Sequence, residues 1–321
     1  MNPVAARRAD AERTILEATL ADPMATLAVV VATEGSTYVH AGALALFGAA
    51  QVGWLSGGCL EGEIARRAAA ASARRGVDWL EIDTRDDEAL FSGSATGCRG
   101  RLCIALLPLA AFDDWASVAR AWLARRGELE LAIDGAGEIT ARCAQAASRA
   151  LLDVAPMPWP DPASVLRISV VPPPGLIVFG AGPEVDLLVP LLRATGWFVD
   201  VVERRPRWLP AARVADRVIE CAPAAALASG ETRADAALVM HHHFELDREA
   251  LEALAPQPIA FVGLLGPRRR RDDLLRLLPR GLADALAPRL RAPVGLDLGG
   301  RGAEAIALSI AAGLQAWRNG R

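Results

Sequence analysis

The sequence predicts an α/β protein of two domains, in which a mixed α/β domain with a small sheet precedes a doubly wound parallel sheet. Three observations support this prediction. The 321 residues are enough for two domains that each bury a core. A proline-dense stretch at 156–174 cannot continue a helix or a central strand, so it divides the chain as a stiff linker. After this stretch, short apolar runs alternate with helical segments, which is typical of a parallel sheet.

The first domain, residues 1–155, is predicted to begin with an amphipathic helix and to continue with short strands around a second helix. That second helix starts after Cys59 and ends near Arg75, with Gly76 as its C-cap. The predicted elements are a helix at 10–20, a strand at 27–32, a hairpin at 43–55, a helix at 59–75, strands at 79–82 and 102–107, and weaker elements near 113–126 and 128–142. A last strand, at 165–171, lies between the prolines of the linker.

The second domain, residues 175–321, opens with the signature of a nucleotide-binding fold. Gly180-Ala181-Gly182 follows the first apolar run and opens a helix, although Val185 stands where the fingerprint has its third glycine. Glu203 ends the second strand, where an acidic residue would hold a ribose hydroxyl, and Arg204-Arg205 could alternatively serve a phosphate. A Rossmann-like parallel sheet is therefore predicted, with NAD(P) as one candidate cofactor. Its predicted strands are 176–179, 198–202, 218–220, 237–240 and 259–262, and its main helices are 183–195 and 303–317.

A thiol flanked by glycines is the strongest chemical signal in the first domain. Cys59 precedes a predicted helix, and the free N–H groups of a helix N-terminus favour anions and lower a cysteine pKa. Gly57 and Gly58 let another molecule approach the backbone closely. Cys98 lies in a second glycine-rich loop, and Glu61 is placed to act as an acid or base beside Cys59. These residues suit sulfur chemistry, metal ligation or covalent catalysis, whereas ordinary small buried cysteines are the alternative interpretation.

Three predicted strand ends of the second domain carry groups that could hold a ligand. Gly180 and Gly182 offer backbone amides beside a helix N-terminus, which accepts many phosphorylated ligands. His242 lies in a run of three histidines at the edge where α/β proteins bind ligands. Consecutive strand residues point to opposite faces, so the run does not indicate a zinc site. Arg268 opens a run of four arginines, of which one or two are expected to clamp a phosphate.

The composition excludes several classes of function. All 35 basic residues are arginine, which excludes Schiff-base or Walker-type chemistry on lysine. A net charge of −3 and a single tyrosine give no basis for binding nucleic acid. No apolar stretch reaches the roughly 18 residues of a membrane-spanning helix. The five cysteines show no CxxC spacing, so we expect reduced thiols and a cytoplasmic protein.

Several blocks of sequence follow one another over nearly the whole chain. They are Gly35-Ser36-Thr37-Tyr38 with Gly42, Ser56-Gly57-Gly58-Cys59-Leu60-Glu61, Gly97-Cys98-Arg99-Gly100, Phe179-Gly180-Ala181-Gly182-Pro183, Met240-His241-His242-His243-Phe244, Gly263-Leu264-Leu265-Gly266-Pro267-Arg268 and Pro293-Val294-Gly295-Leu296-Asp297-Leu298-Gly299. Together, and in this order, the blocks resemble the xanthine dehydrogenase accessory factor family, the XdhC/CoxI-type maturation proteins of molybdenum hydroxylases. A succession of blocks is far more specific than a single glycine fingerprint.

The resemblance implies a protein that binds molybdenum cofactor, as molybdopterin or its nucleotide form, assists its sulfuration and inserts it into an apo-enzyme of the xanthine, aldehyde or CO dehydrogenase type. The implied partners are that apo molybdenum hydroxylase and a cysteine desulfurase. Cys59, with Cys98 second, would bind the metal of the cofactor or handle sulfur, and glycine amides with Arg268 would hold its phosphate. A maturation chaperone is thus favoured over a turnover enzyme.

Two other classes of function stay open from the sequence. One is an NAD(P)-dependent oxidoreductase in which the Rossmann-like domain binds the nucleotide and the first domain supplies the substrate pocket. The other is a non-catalytic scaffolding protein. Whether Cys59 and Cys98 meet across a homodimer is also left open.

Overall fold

The chain forms two compact units, Met1–Pro172 and Pro173–Arg321, so the division falls inside the proline-dense stretch. The structure, a computed structural model, describes residues 9–56, 58, 60–83, 100–134, 137–154, 157, 165–229 and 233–320. Within these ranges, no helix combines the length and the apolar character needed to cross a bilayer.

The first unit contains two sheets and three helices among its described residues. Its elements are α1 (Ala9–Ala21), β1 (Thr26–Gly35), β2 (Leu44–Phe47), β3 (Gln51–Val52), α2 (Glu61–Arg74), β4 (Gly76–Asp83), β5 (Gly100–Pro108), α3 (Trp115–Leu123), β6 (Leu129–Ile133), β7 (Glu138–Cys143), β8 (Ala146–Leu151), β9 (Asp153–Val154) and β10 (Leu166–Val170). The first sheet has the order β3-β2-β1-β5-β4-β9 and the second has the order β10-β6-β7-β8. Every neighbouring pair is antiparallel except β4 with β9.

The first sheet is buried on both faces, which explains the nearly continuous apolar run in β1. Successive residues of a strand point to opposite faces. Leu27 and Val29 therefore join the cluster formed with α1, α3 and the second sheet. Ala28 and Val30 join the cluster formed with α2. The first unit thus places α2, and the loop before it, on one face of a rigid central sheet.

The second unit is a doubly wound parallel sheet. Its elements are β11 (Gly175–Phe179), α4 (Val185–Ala194), β12 (Phe198–Val202), α5 (Leu209–Ala212), β13 (Arg217–Ile219), α6 (Pro223–Ala228), β14 (Ala236–Val239), α7 (Phe244–Leu254), β15 (Phe261–Leu264), α8 (Arg268–Leu277), α9 (Arg280–Leu286), β16 (Leu290–Arg291) and α10 (Ala303–Arg318). All pairs are parallel, in the order β13-β12-β11-β14-β15-β16. This is the 3-2-1-4-5-6 order of dinucleotide-binding folds. The predicted fold class is confirmed.

Alternate residues of β11 again face opposite layers. Leu176 and Val178 pack with α4 and α10, whereas Ile177 and Phe179 pack with α7 and α8. Because helices cover both faces of the sheet, a ligand can reach it only at the ends of the strands. In folds of this kind ligands bind at the carboxyl ends.

The strand predicted at 165–171 is confirmed as β10, in which Leu166 pairs with Ile133, so the predicted linker contains one strand of the second sheet. The structure differs from the sequence prediction in two local features. The C-cap of α2 is Arg75, with φ +53, rather than Gly76. Gly76 instead begins β4, where a side chain would come within 3.0 Å of a carbonyl oxygen of β9. The fifth strand of the second unit, β15, is shifted by two residues from 259–262 to Phe261–Leu264.

Candidate functional site

The described residues that flank the loop of Cys98 lie at one end of the first sheet. β1 ends at Gly35, which is opposite Gly100 at the start of β5. β4 ends at Asp83, also beside the start of β5. The chain therefore enters and leaves the loop of Cys98 at this end of the sheet. Gly53, which precedes the loop of Cys59, packs against β2 beside Leu44, and Leu44 pairs with Val29, six residues before the end of β1.

Three of the predicted site residues, Gly57, Cys59 and Cys98, lie outside the described residues. Their roles stay predictions. Of the other cysteines, Cys103 and Cys143 are buried, and Cys221 is half-buried in the second unit. Burial raises the pKa of the Cys143 thiol, which fits an inert packing role.

Glu61 is the first residue of α2, and its carboxylate ties the preceding loop to the helix. Its Oε1 accepts hydrogen bonds from the backbone N–H groups of Leu55 at 3.1 Å and Ser56 at 2.9 Å. Its Oε2 accepts from the Ser56 hydroxyl at 2.5 Å and from the Leu60 N–H at 3.3 Å. The Ser56 hydroxyl in turn accepts a hydrogen bond from the Leu60 N–H at 2.9 Å. The loop of residues 55–60 is therefore held at both of its ends by one side chain.

These contacts determine the charge of Glu61. Burial raises its pKa, but the hydrogen bonds from Ser56, Leu55 and the backbone of Glu61 outweigh burial, so the pKa lies below its ordinary value of 4.5. A carboxylate that is ionised and bonded on both oxygens is a poor proton donor and a weak base at neutral pH. The observed geometry gives Glu61 a positioning role, which differs from the acid–base role that the sequence predicted.

Trp54 is a candidate that the sequence analysis passed over as part of an apolar run. Its side chain is exposed, and its ring lies 3.8 Å from where a side chain on Gly58 would begin. Gly58 has φ +106, a conformation that glycine adopts without strain. An exposed tryptophan beside an open glycine backbone provides a flat apolar surface next to the loop that carries Cys59.

The glycine loop of the second unit has the expected strand–turn–helix geometry. Gly180 follows β11 with φ +92, and a side chain there would come within 2.6 Å of the His241 ring. Gly182 is enclosed, since a side chain would come within 2.9 Å of the Glu184 carboxylate. Val185, in place of the third glycine, is fully buried at the start of α4. Gly180 is thus required by close packing against the ring and backbone of His241, whereas the atom nearest to Gly182 is the end of the Glu184 side chain.

Glu203 does not offer its carboxylate to a ribose, in contrast to the sequence prediction. It is 1% exposed. One oxygen accepts from the Ala181 N–H at 2.7 Å and from Arg205 Nη2 at 2.6 Å. The other accepts from the backbone N–H and Nε of Arg205, at 2.7 and 2.9 Å. Arg205 also donates to the carbonyl oxygens of Ala181 and His241. The ribose-binding position is therefore occupied by an internal ion pair.

The electrostatics of the glycine loop also disfavour a pyrophosphate. Glu184, the N-cap residue of α4, is buried, and its Oε2 lies 3.2 Å from Nε2 of His242. This carboxylate accepts no hydrogen bond from the N-terminal N–H groups of α4, but its negative charge beside the glycine loop opposes the charge of a phosphate there. His242 itself is half-exposed with φ +55, a conformation that non-glycine residues rarely adopt. Gly182 and His242 thus lie close together, as predicted for a ligand site, but the group between them is the carboxylate of Glu184.

A second buried carboxylate lies beside the histidine block. Asp247, on α7, is fully buried. Its Oδ1 accepts from the His241 N–H at 3.1 Å and lies 3.2 Å from Nδ1 of the same residue. Its Oδ2 accepts from Nη2 of Arg270 at 2.6 Å. Arg205, through the His241 carbonyl oxygen, connects this group to Glu203. Sequence reasoning missed Asp247, although an aspartate in the first turn after the histidine block was a usable signal.

Arg268 differs from the three arginines that follow it. Arg269, Arg270 and Arg271 each form an ion pair, with Asp273, Asp247 and Asp272 respectively. Arg268 has no ion pair or hydrogen bond with any described residue, and it lines a cleft of about 600 Å³ at the end of β15. The structure therefore selects Arg268 as the arginine of the run that is available to a ligand. Within the described ranges, no cluster of three or more His, Cys, Asp or Glu side chains could hold a metal ion.

The order of the parallel sheet and its glycine loop place the chain among α/β proteins in which a Rossmann-type unit follows a mixed-sheet unit. Two family models match it in the same arrangement: the XdhC Rossmann domain at residues 176–314, and the XdhC and CoxI family at residues 21–82. The chain belongs to the XdhC/CoxI family, which confirms the resemblance drawn from its sequence blocks. Membership supports an accessory role toward a xanthine dehydrogenase and association with that enzyme.

Individual relatives agree with this assignment. The chain is 29% identical to a protein of Bacillus subtilis (strain 168) described as a probable subunit of xanthine dehydrogenase, over 93% of this chain and 95% of that protein. A shorter match, 46% identical over 67 residues, relates 21% of this chain to 12% of the uncharacterized protein YqeB of Escherichia coli (strain K12). A crystal structure described as a xanthine dehydrogenase from Bacillus halodurans superposes with a TM-score of 0.77. It is 26% identical, over 97% of this chain and 96% of that one.

The charged side chains at the glycine loop, Glu184 and the Glu203–Arg205 ion pair, lead to a first testable prediction. We expect titration of the protein with NAD⁺ or NADP⁺ at millimolar concentration to show no saturable binding heat, because Glu203 is already paired and Glu184 repels a pyrophosphate. Isothermal titration calorimetry measures this directly. Saturable binding that is lost on substitution of Gly182 by valine would contradict the prediction and restore the oxidoreductase hypothesis.

Proposed function

We propose that the protein binds molybdenum cofactor, assists its sulfuration and delivers it to an apo molybdenum hydroxylase of the xanthine, aldehyde or CO dehydrogenase type. The cofactor is cargo in this proposal, and a cysteine desulfurase is the source of sulfur. The observation that carries the proposal is the Glu61 clamp, the four hydrogen bonds by which one carboxylate holds both ends of loop 55–60, the loop that contains Cys59.

The clamp supports a binding role for Cys59 rather than turnover chemistry. Four hydrogen bonds to one carboxylate fix the backbone on either side of the cysteine, so little ordering is required when a cofactor binds. The described side chains of the loop supply an anchored carboxylate and no general base with a pKa near neutrality. Trp54 adds an apolar ring on which a flat pterin could stack. Thiolates are the natural protein ligands for soft metal centres.

The test is the amount of cofactor that copurifies. Protein from cells that make molybdenum cofactor is oxidised, and the fluorescent pterin released per chain is measured. We expect Cys59→Ser to lower this amount about tenfold or more, since loss of groups around a metal commonly costs that much affinity. Activation of the purified apo-hydroxylase by the loaded protein should fall in parallel.

The control is Cys221→Ser. This half-buried cysteine lies in the second unit, where its thiol donates to the carbonyl oxygen of Ala222 and to no other group of the described residues. Its substitution should leave both bound pterin and activation of the hydroxylase unchanged. If Cys59→Ser retains the pterin content of the wild type, the proposed role of Cys59 is wrong. If neither variant nor wild type yields pterin, the protein is not a cofactor carrier.

A further inference from the structure

A cleft in the second unit combines an unpaired cation with a partly unpaired anion. The carboxyl ends of β15 and β16 and the start of α10 enclose a volume of about 600 Å³. Pockets of about 300–1,000 Å³ are typical of small-molecule sites. Arg268 lies on one side, as the first residue of α8, and Asp297 lies in the segment that follows β16. The cleft is separate from the glycine loop of Gly180 and Gly182, which does not contribute to its lining.

The two charges are available to a ligand. Arg268 forms no ion pair or hydrogen bond with the described part of the chain. Asp297 accepts one weak hydrogen bond, from the Gly299 N–H to Oδ1 at 3.3 Å, and its Oδ2 accepts none from the described residues. The two side chains do not pair with each other. A cleft of this kind suits a ligand that carries an anion at one end and N–H donors at the other.

The lining of the cleft also includes apolar side chains. Val294 is buried, Ile306 comes from the first turns of α10, and Leu296 and Leu298 are about half-exposed. A planar heterocycle that stacks on exposed leucines removes apolar surface from water. The cleft therefore offers a cation for an anion, a carboxylate for ring N–H groups and apolar side chains for the ring itself.

We propose that this cleft binds a guanine mononucleotide, with its phosphate on Arg268, its ring against Leu296 and Leu298, and its N–H edge on Asp297. A carboxylate matches guanine because the ring N–H and the adjacent amino group donate side by side. Adenine presents a ring acceptor at that place, which a carboxylate repels. Arg268 supplies a planar, always charged group that binds phosphate oxygens in pairs. The inference gives Arg268 the phosphate of a mononucleotide in place of the cofactor phosphate that the family resemblance implied. It goes beyond the proposed function, because it requires neither cysteine nor a client enzyme.

The test is calorimetric titration of the full-length protein with GMP, AMP and guanosine. We expect saturable binding of GMP, with AMP and guanosine each weaker by about tenfold, since each lacks one charge-assisted set of hydrogen bonds. Arg268→Gln should weaken GMP about tenfold and leave guanosine unchanged. Asp297→Asn should keep the acceptor for the Gly299 N–H and remove the preference for GMP over AMP.

Arg269→Gln is the matched control. Its side chain is 93% exposed, lies outside the cleft and reaches only Asp273, at 3.9 Å. It should bind GMP as the wild type does, as should Cys59→Ser, which separates this site from the proposed cofactor function. No saturation with GMP at millimolar concentration would overturn the proposal. So would equal binding of GMP and AMP, or an Arg268→Gln variant with wild-type affinity and an unchanged unfolding temperature.

Discussion

Replacing Glu203 with glutamine is expected to lower the free energy of unfolding by about 3 kcal/mol, as the removal of one partner from a buried ion pair commonly does. The substitution leaves the guanidinium of Arg205 without its counter-charge. It also turns an amide NH₂ toward groups that are themselves donors, since both oxygens of Glu203 accept hydrogen bonds in the structure. Urea unfolding, followed by circular dichroism, measures the loss.

The pH dependence of this effect has a definite sign. Burial raises the pKa of Glu203, but the hydrogen bonds from Arg205 and the Ala181 N–H outweigh it, so the folded-state pKa lies below the ordinary value of 4.5. The stabilisation is therefore fully present above pH 4.5 and is lost as the pH falls through the folded-state value. The difference in stability between wild type and Glu203→Gln should shrink in acid.

A neighbouring pair provides the control for Glu203. Arg204 and Glu249 form the same kind of ion pair, but both side chains are more than a third exposed. Glu249→Gln should cost no more than about 1 kcal/mol, because exposed ion pairs contribute little. Equal losses for the two variants would show that Glu203 is not held as the structure describes.

Glu61→Ala is expected to weaken the proposed function about as strongly as Cys59→Ser does. It removes the acceptor for the Leu55 and Ser56 N–H groups, which should cost about 2 kcal/mol of stability and free the loop that carries Cys59. Bound pterin should fall about tenfold, as for Cys59→Ser. Pterin content and the urea midpoint are measured on the same preparations.

Glu61→Gln separates positioning from acid–base catalysis. Glutamine keeps one oxygen that accepts from Leu55 and Ser56 but cannot exchange a proton, so a positioning residue should retain at least half of the bound pterin and of the activation of the hydroxylase. The control is Glu63→Ala, which removes only an exposed carboxylate paired with Arg66. A Glu61→Gln variant that is stable and as inactive as Glu61→Ala would instead assign Glu61 a proton-transfer role.

Much of the second unit could be predicted from the sequence because its signals are local. Buried parallel strands are short apolar runs, and the glycine loop marks the turn from the first strand into the helix that leads to the second. The role of Glu203 could not be predicted in this way, because its partner Arg205 lies two positions along and turns back onto the strand end. The sequence alone does not distinguish an acidic residue that binds a ribose hydroxyl from one that pairs with an arginine.

Local signals were weaker in the first unit. The apolar run at 165–171 predicted the strand β10, but its pairing with β6 is a contact that the sequence does not reveal. A glycine directly after a helix is a typical C-cap residue, but Gly76 pairs with β9 and is the first residue of β4. Arg75 therefore adopts the left-handed C-cap conformation of α2 instead. The run of four arginines indicated a phosphate site from sequence alone. Which of the four is available to a ligand depends on the fold, because the other three form ion pairs with aspartates.

The chain of contacts through Glu203, Arg205, His241, Asp247 and Arg270 has a consequence for how the second unit meets other molecules. It joins the loop after β11, the ends of β12 and β14, and the helices α7 and α8 in one continuous network of charges. None of these segments can move far without breaking a hydrogen bond or an ion pair of this network. The carboxyl ends of these strands are therefore held in place in the absence of a ligand. Binding at this end of the sheet should cost little conformational entropy.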